Sequence, residues 1–301
     1  MLNDNSNTSN SKNRNRLFLK VSHDNIPQVK DKYPFLYLER GRLEIDDASV
    51  KWIDCDGSIV RLPVATLNCL LLGPGTSITH DAVKTIAQTN CGVCWVGEDG
   101  LLFYASGQSP TSNTRNMRQQ MQLSCDPKKS LEVCKRMFAM RFPDADLTNK
   151  TLPMMMGMEG QRVRTLYEQK SSRYGVKWSG RQFTHGNFEL SDLTNKILTS
   201  LNATLYGIIS SVVHSLGYSP HIGFIHSGSP LPFIYDIADL YKETLCIDLA
   251  FSLTFEMAGE YNKYLAATKF MERVISTNLL QSIGRDIESV LGVKHVSSDS
   301  Q

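Results

Sequence analysis

Residues 222–240 read IGFIHSGSPLPFIYDIADL, an apolar run interrupted by one imidazole, His226, and two carboxylates, Asp236 and Asp239. On a helix, residues three apart share a face, one above the other. Two such carboxylates repel unless a cation or a basic side chain lies between them. The spacing leaves two readings open: a salt-bridged or capping pair, or an acid pair gathered on a cation. His226 sits ten residues before Asp236 in the turn-rich stretch FIHSGSPLP, which is able to fold it back toward the acids. Pro232 suits a first-turn position of their helix. A third acid, Glu159, stands in MMMGMEGQRVRTLYEQ between Gly157 and Gly160. Glycines are costly inside a helix and useful where a backbone or a phosphate must come close. Arg162 follows one turn after Glu159 and Arg164 soon after, so the plain reading is a surface glutamate paired with a nearby arginine.

A Glu, a His and an Asp make a mixed oxygen and nitrogen set. That set suits Mg²⁺ or Mn²⁺, with water and phosphate oxygens completing the shell, better than structural zinc. An ion held this way polarises a phosphoryl oxygen and acidifies a bound hydroxyl, so the chemistry it points to is that of phosphodiesters. Competing signals fail. GPGTSITH lacks the Gly-Lys-Ser/Thr ending of a phosphate loop. No G-x-S-x-G elbow occurs, and Ser227 and Ser229 read as turn residues. The seven cysteines are odd in number and scattered. Cys91 and Cys94 form a CGVC run, but on a strand residues three apart face opposite ways, so these read as buried thiols.

The elements that must position these residues fall into two textures. From Phe35 to about Tyr104 short alternating stretches are broken at Arg40-Gly41, Asp46-Asp47 and Asp56-Gly57, which predicts consecutive hairpins. LNCLLLGPG adds a continuous apolar strand, and Thr79 is set to cap a short helix over HDAVKTIAQT. The linker follows within SGQSPTSNT. Beyond it apolar residues recur every three or four positions through RNMRQQMQLSC, DPKKSLEVCKRMFAMRF, MMMGMEGQRVRTLYEQKSSRYG, SDLTNKILTSLNATLYGIISSVVHSLG and from Ile234 to about Leu291. The fold class is therefore α+β: a small β-rich domain over 26–108, a linker over 109–114, and a larger all-α domain over 115–295. Residues 1–25, polar and rich in Asn and Ser, read as a disordered tail, and 296–301 as a frayed end.

The chain of 301 residues is 41% hydrophobic and 21% charged, with a net charge of +2. That balance neither demands nor excludes a nucleic-acid partner, which must be read from local basic clusters. Basic residues concentrate in the helical part, and those around Glu159 and Lys242 would form a phosphate-tracking groove. No apolar run approaches the roughly 18–20 residues of a membrane span, and the cytoplasm is the default location.

Taken together, GMEGQRVR, WSGRQF (178–183), DLTNKILTSLNATLYG (192–207) and GFIHSGSPLPFIYDIADLYK resemble the integrases of CRISPR adaptation, the Cas one family, in its type I-E-like form. PVATLNCLLLGPGTSITHDAVK and WVGEDGLLFYASGQ add to the likeness, which runs from about residue 26 to at least 270. The resemblance implies an N-terminal β domain and a helical catalytic domain. It also implies a homodimer that joins the small partner Cas two, and insertion of short double-stranded DNA fragments as spacers into the CRISPR repeat. It implies a metal, Mg²⁺ or Mn²⁺, on Glu159, His226 and Asp239, with Asp236 an accessory acid and Tyr206 close by. The implied chemistry is attack of a 3′-hydroxyl on a backbone phosphate, alongside possible endonuclease action. Arg162, Arg164, Arg181 and Lys242 are the candidates for DNA-backbone contacts. Relatives place an aromatic before the glycine of the first hairpin, where it stacks on a duplex end. Arg40 stands there in this chain, and a guanidinium also stacks on a base. Ser229 replaces a basic residue found in relatives. Two rival functions fit the same residues: a DNA-binding scaffold without chemistry, and a general metal-dependent nuclease.

Overall fold

A computed structural model describes residues 31–47, 49–97, 103–107, 114–181 and 191–293. The expected tails, 1–25 and 296–301, lie outside these residues, as do Glu98, Asp99 and Gly100, nearly all of the linker expected over 109–114, and Gln182 and Phe183 of the WSGRQF motif.

The β-rich part carries strands β1 (Tyr33–Leu38), β2 (Gly41–Asp46), β3 (Ser49–Asp54), β4 (Ile59–Leu62), β5 (Leu67–Leu72), β6 (Ser77–Ile78), β7 (Gly92–Val96) and β8 (Phe103–Gly107). They form two four-stranded sheets, in the orders β1-β5-β7-β8 and β4-β3-β2-β6. The hairpins expected at Asp46-Asp47 and Asp56-Gly57 are present, as β2 pairs antiparallel with β3 and β3 with β4. The one expected at Arg40-Gly41 is not. There the chain passes from one sheet to the other, because β1 pairs parallel with β5 instead of turning back on β2. The reason lies in the residues. All six residues of β5 are buried, which suits a strand inside a parallel sheet, whereas only Leu43 of β2 is buried, as in a strand with one face open. Gly41 is required at the crossing, since a Cβ would collide with the Trp52 ring and the Ile53 carbonyl. Helix α1 (His80–Gln88) starts where expected, with the Thr79 hydroxyl accepting from the Ala82 N–H.

The helical part comprises α2 (Arg115–Cys125), α3 (Pro127–Arg141), α4 (Leu152–Tyr174), α5 (Leu193–Ser215), α6 (Pro232–Asp239), α7 (Asp248–Met257), α8 (Lys263–Ser276) and α9 (Leu279–Leu291). Their starts are written in the sequence. The Asp126 carboxylate caps α3 through the Lys128 and Lys129 N–H groups, Asp192 caps α5 through Asn195 N–H, and prolines occupy the first turns of α3, α4 and α6. Gly175 closes α4 in the left-handed conformation at φ +64°.

Helix α5 is the hub. By length and composition it is apolar enough to cross a membrane, which the sequence reading overlooked, yet 78% of its apolar window is buried inside the protein, so it is a core helix. Gly207 lets it lie against β5, because a Cβ there would fall 2.7 Å from Leu71. Asn68 of β5 donates to the Ile208 carbonyl, and the Ser211 hydroxyl donates back to the Asn68 carbonyl. One continuous core therefore runs from Phe35, Cys69, Leu71, Cys94 and Val96 of the first sheet into the helices. The two textures of the sequence are parts of one packed body, with Cys91 facing the smaller core and Cys94 the larger, as strand alternation requires. The Asp248 carboxylate adds a polar tie, accepting from Lys170 of α4 at 2.6 Å and from Arg273 of α8 at 3.2 Å.

Candidate active site

The turn before α6 does fold His226 back onto the helix. Asp236 is buried (1% exposed), and its Oδ2 accepts from the N–H groups of Phe224 (2.6 Å) and Ile225 (3.2 Å). Its Oδ1 accepts from the His226 N–H (3.0 Å) and faces His226 Nδ1 at 2.8 Å. One carboxylate thus satisfies the backbone N–H groups of three successive loop residues. Gly223 makes this possible: a Cβ there would sit 2.5 Å from Pro232 Cβ and 3.0 Å from Asp236 Oδ2.

With Nδ1 bound to Asp236, the other nitrogen, Nε2, points at Asp239 Oδ2 at 3.5 Å. The imidazole therefore lies between the two carboxylates of α6, answering the repulsion their spacing creates. The hydrogen bond to Asp236 raises the His226 pKa despite the opposing effect of burial. The other oxygen of Asp239 is held by Lys242 Nζ at 2.7 Å. Lys242 opens a π-helical segment (Lys242–Ile247), a conformation that recurs at functional sites. Burial would lower its pKa, but Asp239 and Tyr206 outweigh that and raise it. Its ammonium lies 5.1 Å from the Tyr206 ring centre, and Tyr206 packs edge-on against Tyr235 at 4.9 Å.

Glu159 reaches the same cleft from α4. Its partner is not Arg162, as the one-turn spacing suggested, but Arg141 at the end of α3, whose Nη2 lies 2.5 Å from Glu159 Oε1. The same guanidinium turns Nη1 toward Asp239 Oδ2, 3.8 Å away. Arg141 and Arg162 both stack on Phe142, each 5.0 Å from the ring centre. Glu159, His226, Asp239, Lys242 and Tyr206 all line one cleft of about 1040 Å³. Gly157 and Gly160 face open space.

The donor atoms suit a hard divalent cation. Nε2 of His226 and the Asp239 oxygen face each other, and the Asp236 hydrogen bond to Nδ1 is the outer support that metal-binding histidines carry. Among the described residues, however, no three His, Cys, Asp or Glu side chains stand close enough together to hold a metal as placed. Glu159 joins the other two only through Arg141, whose Nη1 is buried without a hydrogen-bond partner. Asp236 is committed to the loop and supports the site from behind.

The remaining candidates scatter. Arg162 and Arg164 are exposed on α4 and do not line the cleft, although Arg162 stacks on Phe142, which does. Arg181 lines the cleft, but its guanidinium donates to Asn195 Oδ1 (2.7 Å) and Thr199 Oγ1 (2.8 Å) of α5, and burial lowers its pKa. Arg40 is exposed at the crossing between sheets, with φ +56°, and does not line the cleft. Arg141 was not singled out from the sequence. Its signal was present in FAMRF, a charge inside an apolar run, the pattern that marked His226.

Residues 35–145 match the family described as CRISPR associated protein Cas1. The chain is 66% identical over 283 residues to the CRISPR-associated endonuclease Cas1 2 of Chlorobaculum tepidum, covering 94% of this chain and 96% of that protein. Its fold is similar to that in the crystal structure of a TtCas1–DNA complex, with a TM-score of 0.78 and 34% identity over 88% of this chain and 94% of the other. A casposase bound to integration product shares the fold at a TM-score of 0.68 and 14% identity, over 89% and 94% of the two chains.

Proposed function

The chain belongs to the Cas1 family, and from that membership and the geometry of the cleft we propose that it is a metal-dependent DNA integrase of CRISPR adaptation. The reaction is a transesterification: the 3′-hydroxyl of a captured DNA fragment attacks a backbone phosphorus of the repeat, a new phosphodiester forms, and the repeat's P–O3′ bond breaks to leave a free 3′-hydroxyl. The observation that carries this reading is the posture of His226, with Nδ1 fixed by Asp236 and Nε2 presented to Asp239 in the cleft that Glu159 also lines. Glu159, His226 and Asp239 would hold Mg²⁺ or Mn²⁺. When bound, the ion supplies Lewis-acid polarisation of the phosphoryl oxygen and a lower pKa for the attacking hydroxyl.

The chain's own residues do the rest. Asp236 keeps the imidazole in one tautomer and orientation. Lys242 and Arg141 balance the cleft carboxylates and place positive charge where negative charge grows in the transition state. Arg162 and Arg164 offer guanidiniums to the DNA backbone, where they position rather than read sequence. The duplex, a homodimeric state, the small partner Cas2 and a cytoplasmic site of action belong to the same reading; the similar TtCas1 structure, a DNA complex, supports the first of these.

The test is strand joining. The protein is given Cas2, Mn²⁺ or Mg²⁺, a duplex with free 3′-hydroxyls and a supercoiled plasmid bearing the repeat. Joining by the wild type that is lost in Glu159→Ala, His226→Ala and Asp239→Ala, with duplex binding retained, is the expected result. A DNA-binding scaffold is the second reading, favoured by the pairing of Glu159 with Arg141. Binding without joining under every metal condition would establish it and overturn the first. Cleavage without joining would establish a general nuclease.

A further inference from the structure

Arg141 sits where it can obstruct a metal. Its guanidinium contacts Glu159 and faces Asp239, the two carboxylates that would have to reach one ion. It is held there by stacking on Phe142 at 5.0 Å and by the nearby Phe138 at 6.0 Å. Two features show the arrangement to be incomplete. Nη1 is buried without a hydrogen-bond partner, an unsatisfied donor facing the cleft. Its distance to Asp239, 3.8 Å, is too long for a hydrogen bond. Charge gives a third reason. The cleft is lined by the carboxylates Glu159, Asp239 and Glu243 and by the cations Arg141, Lys242 and Arg181, with Glu159 paired to Arg141 and Asp239 to Lys242, so its charges already balance. A divalent ion added to this balance leaves the cleft with excess positive charge, and an incoming phosphate offsets it.

We propose that Arg141 is an exchangeable counter-cation: it occupies Glu159 until a divalent ion displaces it, and the released guanidinium then takes a phosphate oxygen of the bound DNA. The proposal rests on the integrase reading above and names a positioning residue for the same site. A planar guanidinium suits both partners, because carboxylate and phosphate present similar paired oxygens. Metal and DNA then bind with positive coupling, each raising the other's affinity by the same factor.

The test measures free Mn²⁺ by electron paramagnetic resonance, with and without a 3′-hydroxyl duplex, in the full-length protein and in Arg141→Gln. The expected result has two parts. Without DNA, Arg141→Gln binds Mn²⁺ about tenfold tighter, since a cation at contact distance from Glu159 is gone, while its metal-free form melts earlier because Glu159 is left without its counter-charge. With duplex, the affinity gain seen in the wild type shrinks in the variant. A purely structural arginine would lower both metal affinity and melting temperature together. Equal or weaker Mn²⁺ binding in a folded Arg141→Gln overturns the competition, and an undiminished gain with duplex overturns the transfer to phosphate. Should the variant not fold, wild-type crystals grown with Mn²⁺ decide the matter: an ion on Glu159 with the Arg141 contact intact overturns the proposal. Failure of the integrase reading looks different, with no Mn²⁺ binding that Glu159→Ala abolishes, and it overturns this proposal too.

Discussion

A single oxygen of Asp236 meets both the backbone N–H and the ring Nδ1 of His226, at 3.0 and 2.8 Å. This doubled contact fixes where the ring stands and which nitrogen it offers to the cleft. Asp236→Asn keeps the size but cannot satisfy the same set of donors with both atoms. The variant should fold and bind Mn²⁺ about 10- to 100-fold more weakly, the usual cost of losing an outer support. Titration calorimetry checks this, and wild-type affinity would show that the ring is oriented by something else.

Two glycines should respond to alanine with opposite signs. At Gly223 a methyl group meets Pro232 and Asp236 within 2.5–3.0 Å, so Gly223→Ala should cost about 1–3 kcal/mol by overpacking. At Gly157 nothing lies within 4 Å and the residue is inside α4, so Gly157→Ala should gain up to about 1 kcal/mol from helix propensity. Urea denaturation of the two variants side by side reads both signs.

Arg181 separates a structural role from a DNA-binding one. Its bonds to Asn195 and Thr199 staple the segment after α4 to the start of α5. Arg181→Ala should therefore lower stability by about 1.5–3 kcal/mol, the range for hydrogen bonds to a charged group. Unchanged stability combined with weaker duplex binding would instead make it a phosphate contact.

The Asp248 hub predicts a pH dependence of stability. Burial raises the Asp248 pKa, but hydrogen bonds from Lys170, Arg273 and Tyr174 outweigh it, so the carboxyl lies below its ordinary value in the folded protein. The unfolded chain then binds the proton more readily. The stabilisation is fully present above the unfolded pKa of about 3.9 and is lost as pH falls through the lower folded value. Asp248→Asn should be less stable than the wild type near neutral pH, with the gap closing in acid. A gap that stays constant with pH would contradict the assignment.

How far the sequence discloses all this varies with the range of the interaction. Caps and periodicities are local, and so Thr79 and Pro232 mark helix starts that the structure repeats, while the caps Asp126 and Asp192, equally local, were not singled out. The nearness of His226 to the α6 acids was legible for the same reason, since Asp236 is only ten positions on, across a Ser-Gly-Ser-Pro turn. The different duties of Asp236 and Asp239 were implied only by the family resemblance, because i,i+3 spacing puts both on one face and says nothing of which one the loop amides will take. The β1–β2 hairpin was misread because a turn signal at Arg40-Gly41 fits a crossing between sheets as well as a reversal; the buried pairing of β1 with β5 decides it, and that partner lies about thirty residues on. The partner of Glu159 was missed outright. Spacing favours Arg162, but that residue stacks on Phe142, and Arg141 comes in from another helix.

The central claim is that Glu159, His226 and Asp239 gather one divalent ion. Anomalous scattering from crystals grown with Mn²⁺ tests it most directly. The account predicts a single strong peak in contact with His226 Nε2 and with carboxylate oxygens of Asp239 and Glu159. A peak elsewhere in the cleft, or none at saturating Mn²⁺, would contradict it.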